Sequence, residues 1–140
     1  MINQKNIGLK ELHCAELPSA KFVELERDIV IVIYKDISDE FGLEHARKHT
    51  ETIYKLRNDK PCHIILYFLK TQVVFSNAAR DYFAKDLRHS AIRLSQAIII
   101  EGLAQKIVAN FYKTFHKPDC PVELFSDLPT AINWTLSLEK

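Results

Sequence analysis

HIILYFLKTQVVFSNAAR, residues 63–80, decides how the chain is read. With Cys62 in front it opens as CHIILYFL, an apolar run without polar alternation, the pattern of a strand covered on both faces. Lys70, Thr71 and Gln72 then make a polar turn. Ser76 opens SNAARDYFAKDL, in which Ala79, Tyr82 and Phe83 share one helical face. Serine suits that first position because its oxygen accepts a hydrogen bond from a backbone N–H that the helix leaves unpaired. A buried strand that passes through a turn into a helix is half of a β-α-β unit.

The same pattern repeats on both sides. Upstream, AKFVELERDIVIVIYK (residues 20–35) divides at Arg27-Asp28. Its first half alternates, with Val23 and Leu25 on one face and Phe22, Glu24 and Glu26 on the other, which predicts a half-exposed strand. Its second half, Ile29 to Tyr34, is apolar and β-branched throughout, so a hairpin is expected to lead into a buried strand. Ser38 or Asp39 is then expected to cap a helix that buries Leu43, Ala46, Thr50 and Ile53, with Arg57 at the solvent end of that stripe. Downstream, LSQAIII predicts a strand and EGLAQKIVANFYKTFHKP a helix. In the last unit Val122 to Phe125 predict a strand and Ser126 or Asp127 a cap. Pro129 falls in the first turn, and Ala131, Ile132, Trp134 and Leu138 face the core. Four strand-then-helix passes imply parallel strands joined by right-handed crossovers. Residues 1–18 are polar and mixed, and read as an irregular arm with room for one short strand before an α/β domain over 19–140.

Bulk properties narrow the function classes. A chain of 140 residues, 47% apolar and 26% charged, suffices for one domain with a sizeable core. A net charge of +1 gives no electrostatic reason to expect nucleic acid or an anionic membrane as partner. Three cysteines without a C-x-x-C pair argue for a reducing compartment. MINQKNIGLKELHCAEL lacks the form of a signal peptide, and the longest apolar runs, IVIVIY and IILYFL, have six residues each, too few to span a bilayer. A cytoplasmic location is the expectation.

One longer segment, ANFYKTFHKPDCPVELFSDLPTAINW, carries a family likeness through Asn110-Phe111, Phe115, Lys117-Pro118, Pro121, Leu124-Phe125, Asp127, Ala131 and Trp134. Over residues 20–138 the chain resembles the small bacterial SpoIIAA-like, or STAS-like, domains, within a branch whose function is uncharacterised. The resemblance implies a mostly parallel β-sheet with an N-terminal hairpin and about four helices. It also implies action through protein contact, as in anti-sigma-factor antagonists. Those antagonists are switched by phosphorylation of a serine within a D-S-[ST]-G turn. Ser76 holds the corresponding place, but Phe75 precedes it and Asn77 and Ala78 follow, so the helix-cap reading accounts for it. Ser76, Asn77, Lys70, Thr71 and Gln72 form the candidate switch or partner-facing turn.

Other combinations fall short of a site. His45 and His49 have the four-residue spacing of a metal pair but no third ligand, and read as solvated. Cys62 and His63 are neighbours in a strand and point to opposite faces, while Cys14 and Cys120 fall in segments read as irregular. The turns after the strands hold Gly102 alone among glycines. They carry Asp36, Asp39, Glu40, Glu101 and Asp127, a poor setting for phosphate. Arg80, Lys85, Arg88, His89 and Arg93, interleaved with Asp81 and Asp86, read as a solvated face. The expectation is a non-enzymatic domain without cofactor or metal. Its partner is a protein, including further copies of itself, and neither nucleic acid nor membrane. A small apolar-ligand (lipid) carrier of the related CRAL-TRIO type is the alternative.

Overall fold

The computed structural model describes residues 8–68, 73–102 and 119–139. Among them, six strands form one sheet: β1 (Glu11–Leu17), β2 (Ala20–Leu25), β3 (Ile29–Tyr34), β4 (Cys62–Tyr67), β5 (Arg93–Ile99) and β6 (Val122–Phe125). Their spatial order follows the chain order. β1–β2 and β2–β3 pair antiparallel, whereas β3–β4, β4–β5 and β5–β6 pair parallel. The described helices are α1 (Leu43–Arg57), α2 (Asn77–Lys85), α3 (Leu87–Ile92) and α4 (Leu128–Ser137).

The two-residue period of the strands divides the core. Phe22, Val30, Val32 and Ile64 face Ala46 and Ile53 of α1, Ala79 of α2 and Ile92 of α3. Their sequence neighbours Val23, Leu25, Ile29, Ile31 and Ile65 face Leu128, Ala131 and Ile132 of α4. The unbroken apolar runs of β3 and β4 thus reflect helices on both faces. A third cluster, Ile98, Ile100 and Val122, lies at β5 and β6.

Several expectations need correction. The one short strand that the N-terminal arm left room for is Glu11–Leu17, on the edge of the sheet, so Cys14 lies in a strand and not in an irregular segment. β2 is covered on both faces, because Glu24 is buried against Arg57 of α1. Arg57 is correspondingly buried at the end of its stripe and not in solvent. α1 begins after Gly42, later than a cap at Ser38 or Asp39 would place it; the His45 ring Nδ1 accepts the Gly42 N–H at 3.0 Å. Asp86 breaks the second helical stretch in two. It ends α2 with extended φ/ψ, and its carboxylate accepts the His89 N–H at 2.9 Å to start α3. The helix expected after Gly102 falls on residues 103–118, outside the described residues.

Candidate functional site

The parallel strands end on one side of the sheet, where open α/β folds collect ligands and partners. There the chain leaving β3 and the chain leaving β4 are clipped together by a parallel bridge between Phe41 and Phe75. The Phe41 N–H donates to the Val74 carbonyl at 2.8 Å, and the Ser76 N–H donates to the Phe41 carbonyl at 2.9 Å. The first turns of α1 and α2 are therefore held side by side.

Beneath the bridge lies an aromatic floor. Phe41 and Phe75 have ring centroids 4.8 Å apart, Tyr34 stacks on Phe68 at 4.3 Å, and Phe75 meets Phe68 edge-on at 5.9 Å. Such offset and edge contacts fix ring orientation as well as burying area. Above the floor, Val74 is 67% exposed. Asn77 is also exposed, and its side-chain oxygen accepts from Arg80.

The Ser76 hydroxyl accepts the Ala79 N–H at 3.0 Å, so Ser76 is the cap of α2. Of the five candidate turn residues, the structure thus brings Ser76 and Asn77 together at one helix start. Lys70, Thr71 and Gln72 lie outside the described residues.

The remaining candidates separate. His45 is occupied by Gly42, whereas His49 is buried between Phe22, Tyr34 and Phe41 and hydrogen-bonded to Ser19 at 2.7 Å, not solvated. Among the described residues no group of three His, Cys, Asp or Glu side chains could hold a metal ion. The Cys62 thiol is pushed up to about 12 by burial, which leaves almost no thiolate at neutral pH. The basic run is not one face. His89 and Arg93 are buried, while Arg88 lies over the Tyr54 ring at 4.1 Å and faces Glu51 at 3.7 Å. Arg93 donates to the Phe83 carbonyl, to Gln96 and to Asp119. Asp127, assigned to an acidic rim, accepts the Thr130 N–H at 2.8 Å and caps α4.

One constellation escaped the sequence. Ser95 and His63 Nδ1 are hydrogen-bonded at 2.8 Å, and His63 Nε2 lies 3.6 Å from Glu139. This is the order of a hydrolase triad, but Ser95 is 0% exposed inside the sheet, so its hydroxyl cannot meet a substrate. Burial also lowers the pKa of His63, against the opposing pull of Glu139. The three residues tie the end of the chain to the strand starts. Glu139 adds two bonds from Arg27, at 2.8 and 3.2 Å. No spacing rule would have joined them, because they meet only through the parallel register of β4 and β5 and the return of α4.

No described helix is long and apolar enough to cross a membrane. Among solved structures, the chain is similar to an uncharacterized protein of the DUF3478 family with a SpoIIAA-like fold, from Shewanella loihica PV-4. The TM-score is 0.54 and the identity 14%, over 91% of this chain and 94% of that one. At that identity the likeness is one of fold: the architecture is SpoIIAA-like. No curated protein matches the chain. A family described as "Domain of unknown function (DUF7793)" matches residues 23–139, and the chain belongs to that family.

Proposed function

We propose that the chain is a non-enzymatic protein-contact domain that meets a protein partner at the clipped ends of β3 and β4. The carrying observation is the Phe41–Phe75 bridge, which presents an exposed Val74 and the Ser76–Asn77 helix start on a fixed aromatic floor. An apolar side chain held outward on rigid backbone is what a contact surface offers, because little conformational entropy is lost when a partner covers it. Lys70, Thr71 and Gln72 belong by sequence to the proposed contact segment. The SpoIIAA-like fold supports the reading, since the antagonists the sequence resembles act through protein contact. The free thiols of Cys14, Cys62 and Cys120 suit a reducing cytoplasm. Ser76 serves here as a cap.

The test compares the wild type with Val74→Asp in affinity capture from host lysate, with native mass spectrometry of both purified proteins. The expected result is a defined protein, or a second copy, retained by the wild type and lost by Val74→Asp at unchanged circular dichroism. A strictly monomeric chain that captures nothing, or one that carries a lipid, overturns the reading.

A further inference from the structure

We infer that the helix layer is an acid-sensitive latch, closed by two neutral histidines, His49 and His89, seated between α1, α3 and the sheet. His49 joins α1 to the β1–β2 turn through Ser19, at 2.7 Å. His89 joins α3 to α1 through Thr50, at 2.9 Å. The two links are consecutive in the chain, since Thr50 follows His49.

The surroundings are wrong for charge. Around His49 stand Phe22 from β2, Tyr34 from β3 and Phe41 from the preceding loop, and its titratable neighbours include Tyr34, His45 on its own helix and His89 from α3. Around His89 stand Thr50 from α1, Tyr82 and Phe83 from α2, Arg93 from β5 and Asp119 ahead of β6. Arg93 donates to Asp119, and so does the Ser90 hydroxyl, so that carboxylate is already engaged. Both serine and threonine hydroxyls can rotate to accept from a protonated ring. The cost of protonation is therefore the buried charge itself, and not a lost hydrogen bond.

The sign follows. Burial, reinforced by His45 for one ring and by Arg93 and His49 for the other, lowers both rings to about 3. In an opened layer each returns to about 6.5. The closed layer then binds fewer protons than the open one throughout that window. Stability is therefore full above pH 6.5 and declines as pH falls toward 3. At pH 5 opening is favoured about 30-fold per ring and about 1,000-fold for the pair.

Hydrogen exchange followed by mass spectrometry, corrected for intrinsic rates, reads the latch. Between pH 7.5 and 5, wild-type amides of α1 and α3 should open two to three orders of magnitude more often. In His49→Gln/His89→Gln the change should be under tenfold. Equal pH dependence in both proteins overturns the inference. Imidazole NMR of the wild type decides independently, even where the double variant does not fold. His49 and His89 should show no titration down to pH 5 while the protein stays folded, and titration of either near 6.5 overturns it.

Discussion

Replacing Arg57 by methionine tests how β2 and α1 are joined. The Arg57 side chain is 5% exposed and that of Glu24 8%. The guanidinium donates to Glu24 at 2.8 Å, to Asp28 at 2.6 Å and to the Pro61 carbonyl at 3.0 Å. Arg57→Met keeps most of the apolar stem but leaves the Glu24 carboxylate buried with only His13, whose side chain is 73% exposed, beside it. Removing one member of a buried pair costs about 3–5 kcal/mol, chiefly because the other stays charged without its partner. The Asp28 bond adds little, since that side chain is 58% exposed and its contact is screened by water. Glu24→Gln retains a hydrogen-bond acceptor and should cost about 1.5–3 kcal/mol. The double change Arg57→Met/Glu24→Leu removes both charges and should recover to within about 2 kcal/mol of wild type, as buried pairs replaced by apolar groups often do.

Urea unfolding of the wild type, these three variants and the single variant Glu24→Leu at pH 7 measures each difference and the coupling between the sites. A loss below about 1 kcal/mol in Arg57→Met would show that water reaches the pair and that Glu24 and Arg57 are not buried together. Additive losses in the double variant would refute the coupling itself.

Other outcomes follow from the caps and the thiols. Ser76→Ala should lower stability by about 0.5–2 kcal/mol in chemical denaturation, and Ser76→Asp should restore most of it, because aspartate accepts the same Ala79 N–H. A null effect of Ser76→Ala would deny the cap. Asp86→Ala removes the N-cap of a helix only six residues long. It should cost about 1 kcal/mol and raise amide exchange in α3 ahead of α2; uniform exchange in both would count against a break at Asp86. With Ellman's reagent at pH 8, exposed Cys14 should react first and Cys62 only on unfolding, its thiol being raised to about 12 by burial. Half-buried Cys120, also raised by burial, should fall between them. Rapid labelling of Cys62 in the folded protein would contradict its place in the core.

What was legible in the sequence is what depends on one element at a time. Ile29–Tyr34 and Cys62–Tyr67 declare themselves as covered strands because every position is apolar, whichever face it takes. Asp127 and Pro129 announce α4 because capping is settled within one turn. What stayed hidden depends on two elements meeting. Glu24 in β2 and Arg57 in α1 each read as solvent-facing, since a charge alone in sequence gives no sign of a partner 33 residues away. Buried together, they make β2 look half-exposed when it is not. His49 and His89 follow the same logic, each polar by type and hydrogen-bonded to a hydroxyl from another element.

The candidate contact end shows the difference most clearly. Ser76 as a cap was readable from its own turn, but the bridge that sets it beside α1 needs Phe41 and Phe75, both of which look like ordinary core residues. A sequence can therefore place a turn at the end of a strand without revealing that two such turns are joined. That join, and no single residue type, is what converts a loop end into a surface firm enough to hold Val74 outward.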